Sequence, residues 1–140
     1  MDSFAHRVDA LMAAAGAAVG WFFGGLDGFF YALVAFSVMD YITGVMKAWL
    51  KKELSSAIGA KGIFQKVCIF ILVGVVHVLD AEFLGHGDVL REAVIFFYIA
   101  NEGLSVLENV VELGVPVPEF LKERLLQIHG SGGKNESGVR

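Results

Sequence analysis

Residues 93–113 read AVIFFYIANEGLSVLENVVEL. At about 100° per residue, Tyr98, Asn101, Glu102, Ser105, Glu108, Asn109 and Glu112 fall within roughly a third of a helix circumference, while Ile95, Phe96, Ile99, Val106, Val110 and Leu113 lie elsewhere. The segment is therefore a helix of membrane-crossing length with a polar strip along one face. Acyl chains do not solvate Glu102, Glu108 and Glu112, so the strip must face protein or water. Three readings stay open. In an oligomer the strip lines a water-filled lumen and needs no charge pairing. Packed inward in a single chain, its carboxylates meet only Lys66 and Arg91 at the margins. The third reading is a catalytic or transport carboxylate.

Outward from this segment, the whole chain supports a membrane setting. Its 140 residues are 56% hydrophobic and 19% charged, with a mean hydropathy of +0.64, more apolar material than a small soluble core can bury. The net charge is only −4, and the basic residues form no aromatic-interleaved patch, so nucleic acid is not an expected partner. Cys68, the single cysteine, lies in an apolar run and reads as a small buried hydrophobe. Residues 1–9 lack the basic start of a cleavable signal peptide.

The fold class expected is an all-α integral membrane protein with four membrane-crossing helices, three if the first does not cross. The spans are placed at about 10–26, 28–47, 63–84 and 92–113. The first is Ala- and Gly-rich and partitions weakly, so it either crosses or lies at the surface. Gly85 to Asp88 is a turn signal, and Gly114 with Pro116 and Pro118 ends the last long helix. Residues 118–128 form a short amphipathic helix, completing a single domain over 1–128. Residues 129–140 are Gly-, Ser- and charge-rich and read as a disordered cytoplasmic tail.

With four spans, Arg7, Lys47, Lys51, Lys52, Lys61, Lys66, Lys122, Arg124, Lys134 and Arg140 all fall on one side, and only Arg91 on the other. The positive-inside rule then puts both termini and the Lys-rich connector in the cytoplasm; if the first helix does not cross, the N-terminus lies outside and the rest keeps its orientation.

Several residues invite a functional reading. Gly16, Gly20 and Gly24 recur at four-residue spacing beside Ala13 and Ala17, a bare strip suited to helix packing within the chain or between copies. Asp40 lies well inside the second span, on a face with Ser37, Thr43, Gly44 and Lys47, and needs pairing, protonation or water. Gly44 is a candidate packing position on the same face. His77 and Asp80 are three apart and can meet at one end of the third span. With Glu82, His86 and Asp88 nearby a metal is conceivable, but no metal-ligand spacing is present, and no metal or cofactor is expected. The chain also lacks a nucleophile elbow, a phosphate-binding loop and a dinucleotide fingerprint, so no catalytic residues are assigned.

Four stretches together resemble the bacteriophage holin family that includes the toxin-secretion holins: Asp40-Tyr41-Ile42-Thr43-Gly44 with Lys47-Ala48; Leu54-Ser55-Ser56 with Gly59 and Lys61-Gly62-Ile63; Phe97 to Ser105 continuing through Leu107-Glu108-Asn109; and Leu113 to Pro118. The resemblance covers about residues 27–128. It implies a protein of the bacterial cytoplasmic membrane that contacts lipid, forms homo-oligomers, and opens lesions through which an endolysin or a toxin passes. An antiholin is a possible further partner, and no catalysis is implied. The competing expectations are an antiholin or other non-conducting interaction protein, and a small ion-coupled transporter.

Overall fold

The computed structural model describes residues 2–85 and 87–133. It is helical, with no strand among the described residues: α1 (Asp2–Phe22), α2 (Gly28–Leu50), α3 (Ser56–Leu79), α4 (Val89–Glu112) and α5 (Glu119–Gly133). One π-helical turn, Asp80–Leu84, extends α3. Two helix starts are set by side-chain caps that absorb amide groups left over at a helix N-terminus. Asp27 Oδ1 accepts from the Phe30 amide at 2.9 Å, and Ser55 Oγ accepts from the Ile58 amide at 3.2 Å. The Ser55 cap starts α3 seven residues before the expected residue 63, and α2 runs on to Leu50.

Three helices are long and apolar enough to cross a membrane: Gly28–Leu50, Ser56–Leu84 and Val89–Glu112. The chain is a multi-pass membrane protein. α1 is not among the three, so of the two expected counts length and hydropathy support three spans and give no support to a fourth. It begins at Asp2, so its first half includes Asp2, His6, Arg7 and Asp9, and it stops at Phe22 instead of reaching residue 26. α5 runs through Gly133, where the sequence pattern ended the helix at 128; residues 134–140 of the expected tail lie outside the described residues.

α4 is the central element. It packs along α2 on one side, against α3 on another, and receives α5 folded back along its C-terminal half. The core is small: Leu33, Ile69, Val73 and Ile95, edged by Phe23, Phe70, Val94, Tyr98 and Ile99. Large side chains such as Phe64, Ile71 and Met46 remain exposed. A bilayer covers such a surface, and packing between spans then depends on close contact rather than on a wide apolar core. Cys68 is likewise exposed, not buried as its apolar surroundings suggested.

α1 joins this bundle only at its end. The Phe22 ring fills the space over Gly74 on α3, where a Cβ would lie 2.1 Å from it. Phe23 stacks near Phe30 and Phe70, with ring centroids 4.8 and 6.2 Å away. The bare strip expected on α1 has no partner in the single chain, since a Cβ added at Gly16 or Gly20 meets nothing within 4 Å. Gly24 is not on that helix at all. It turns the chain at φ +76°, and a Cβ there would come 2.5 Å from His77 Nδ1 and 2.8 Å from Arg91.

Candidate functional site

Three spans each contribute charge to one interior point. Lys66 on α3 donates from Nζ to Asp40 Oδ2 on α2 and to Glu102 Oε2 on α4. The Glu102 side chain is 4% exposed and those of Asp40 and Lys66 about 16–17%, so the three groups are largely withdrawn from their surroundings. Asn109, one helical face along from Glu102, donates from Nδ2 to Asp40 Oδ1 at 3.1 Å and to Thr43 Oγ1 at 3.0 Å. Thr43 itself donates back to the Met39 carbonyl at 2.8 Å. A Cβ at Gly44 would stand 3.7 Å from this amide, an ordinary contact, so the approach of α2 to Asn109 does not require a glycine there. A lone charge at this depth costs about 2.5 to 3.5 kcal/mol on insertion scales, and the shared ammonium with the Asn109 amide offsets that cost.

The arrangement corrects one expectation. Lys66 is central, not marginal. With α3 starting at Ser56, Lys66 is ten residues, about 15 Å, along the helix. The overlooked signal was Ser55, whose capping position moves the helix start.

The polar strip of α4 is thereby divided. Glu102 and Asn109 turn inward to the cluster. Glu112 reaches the Lys-rich end, 3.5 Å from Lys47 Nζ and hydrogen-bonded to Lys51. That carboxylate holds the Lys51 ammonium above its usual range. Tyr98, Asn101 and Ser105 line an open groove of about 1050 Å³ between α3 and α4, together with Gln65, Phe64 and Leu72. Asp40, Lys66 and Glu102 form part of its floor. Glu108 is exposed and borders a separate cleft shared with α5.

A second polar centre closes the opposite end. Arg91, fully buried, donates through Nε to the Phe23 carbonyl at 2.5 Å and through its terminal nitrogens to Gly25 O and to both Asp27 oxygens at 2.8 to 3.3 Å. The hydrogen bond from Arg91 holds the Asp27 carboxyl below the usual carboxylate range, against a smaller opposing effect of burial. Asp80 caps α4 by accepting from the Leu90 and Arg91 amides at 3.3 and 2.8 Å. His77 therefore does not pair with Asp80; it faces Asp88, 3.3 Å away. The Arg91 centre was missed in the sequence, although Arg91 stood out as the lone cation of its side and Asp27 as a charge just before a span. No group of three or more metal-ligating side chains occurs among the described residues, and His86 lies outside them.

Residues 17–130 match the model of the bacteriophage holin family. An uncharacterised protein of Listeria monocytogenes is 46% identical over 121 residues, 86% of either chain. A Clostridium perfringens protein of 14.9 kDa is 44% identical over 110 residues, covering 78% of this chain and 83% of its own. A probable holin of Bacillus phage phi105 is 40% identical over 93 residues, 66% of this chain and 68% of its own. No solved structure matches the chain.

Proposed function

Because this chain belongs to the bacteriophage holin family, we propose that it is a non-enzymatic lesion former of the bacterial cytoplasmic membrane, which oligomerises and releases an endolysin or a toxin. The observation that carries this reading is the division of the α4 strip. Glu102 and Asn109 are already satisfied inside one chain, whereas Asn101 and Ser105 border a wide groove at the depth of the spans. Lipid is a poor neighbour for that groove edge. A ring of copies that turns it toward a shared aqueous interior gives it water without unmaking the Lys66 cluster.

Accumulation before opening follows from the same geometry. A single chain keeps its most costly charges paired and diffuses in the bilayer, and assembly is driven by copies meeting at high density. The Lys-rich end, with Lys47, Lys51, Lys52 and Lys61, is assigned to the cytoplasm by the positive-inside rule.

The test is release of a folded, lysozyme-sized protein from vesicles or from cells expressing the chain. Sudden release above a threshold density is the expected result. Passage of ions alone overturns the reading, and unaffected growth on full expression supports a non-conducting partner, such as an antiholin, in its place.

A further inference from the structure

α5 lies where an inserted chain has no use for it. A Cβ at Gly103, near the middle of α4, would stand 3.1 and 3.3 Å from the Leu125 methyl carbons and 3.2 Å from the Phe36 ring. Leu125 thus docks in a seam between Phe36 on α2 and Gly103 on α4. Leu104, Leu107 and Val111 with Lys122 and Leu126 enclose a cleft of about 400 Å³ alongside. Gly103 is nine residues from the end of α4, about 13 Å, so α5 reaches back to the middle of the span. Yet Lys122, Glu123, Arg124 and Gln127 are all exposed on α5. Hydrocarbon rejects those groups, while the Lys-rich membrane surface accepts them, its anionic headgroups attracting Lys122 and Arg124.

We infer that α5 is a reversible cover: docked, it occupies the α2–α4 seam, and released to the membrane surface, it leaves that seam to a second copy of this chain. This rests on the holin reading for its consequence, but the contact itself is within one molecule. The occupant follows from the seam's own makeup. Gly103 lets another backbone approach, Phe36 and Leu107 supply the apolar contact that Leu125 and Leu126 now take, and every copy carries the same surface. The cover is then a brake on assembly, released as the charged face of α5 moves to headgroups.

The test places Leu104→Cys and Leu126→Cys, two residues of one cleft, in a full-length Cys68→Ser chain in native membranes. Oxidation should link α5 to α4 within the monomer, lower the ladder of amine-cross-linked oligomers at least tenfold, and delay lysis; reductant should restore both. A Leu125→Glu chain, which cannot dock, should form the ladder at lower density than the parent. Equal ladders before and after reduction, failure of the cysteine pair to link in monomers, or weaker assembly of Leu125→Glu overturns the inference. A ladder that responds as expected in membranes that never release a folded protein leaves the cover standing and removes the holin reading.

Discussion

Lys66 on α3 donates to Asp40 on α2 and Glu102 on α4 at once, so a single ammonium ties the three spans together. One of its bonds joins α3 to α2 and the other joins α3 to α4. The cluster sets the mutual register of the spans and keeps two carboxylates from meeting lipid.

Replacing Lys66 by Met leaves Asp40 and Glu102 facing each other without a counter-charge. Breaking a buried pair from one side typically costs about 3 to 5 kcal/mol, and here two acids are left behind. The expected result is a large drop in inserted protein and in resistance to SDS unfolding in mixed micelles. Adding Asp40→Asn and Glu102→Gln to Lys66→Met should recover most of the loss, because carboxamides need no counter-ion. If Lys66→Met alone unfolds at the parent SDS concentration, the cluster is not what holds the spans.

The Arg91 centre gives a dependence on pH. Asp27 has a lowered pKa in the folded chain, so its bond to Arg91 contributes stability above the unfolded Asp value of about 3.9, and that contribution is lost as pH falls through the lower folded value. Asp27→Asn removes it at every pH. The gap in thermal stability between parent and Asp27→Asn, measured in detergent, should therefore be full at pH 6, begin to narrow as pH falls below about 4, and close only once pH has passed the lower folded value. A gap that stays constant across that range contradicts the assignment.

The glycines separate into two groups with opposite expectations. Gly24→Ala meets a left-handed backbone and the His77 and Arg91 side chains, and Gly74→Ala meets the Phe22 ring; both should lower thermal stability of the monomer and free the end of α1. Gly16→Ala and Gly20→Ala point into open space within a helix and should leave the stability of the monomer unchanged or slightly raised. Delayed lysis by Gly16→Ala or Gly20→Ala at normal monomer stability would then locate their role between copies. Loss of monomer stability in either would show instead that α1 packs on its own bundle.

Much of this architecture could be read from the sequence because the spans announce themselves by length and hydropathy, and because the α4 strip is too polar for lipid. The polar residues Asp40, Glu102 and Asn109 were all legible as groups needing partners. The partner that Asp40 and Glu102 share was not, since Lys66 reads as a flanking cation, and only the Ser55 cap reveals that it lies three turns inside α3. The α1 strip was legible only in part for a different reason: a periodic pattern of glycines specifies a bare face but not what covers it, and Gly24 belongs to a turn. Nor does periodicity show that α5 folds back along α4, because that contact joins Leu125 to Gly103 across the Pro116–Pro118 turn.

The two edges of the α4 strip can be set against each other experimentally. Asn101 and Ser105 border the open groove, while Glu102 and Asn109 are held inside. Changing Asn101 and Ser105 together to Leu removes polar surface from the edge that one chain leaves uncovered, which should make insertion in lipid easier, not harder. If that edge lines a shared aqueous interior, the same change dries it, so inserted protein stays at or above the parent level while release of a lysozyme-sized marker is lost or delayed several-fold. Asn109→Leu, by contrast, removes the donor to Asp40 Oδ1 and Thr43 Oγ1 and should lower monomer stability together with release. The two measurements that decide are the amount of inserted chain and the time of marker release in the same cells. Normal release by the Asn101→Leu, Ser105→Leu chain would place water elsewhere and remove the α4 groove from the lesion wall.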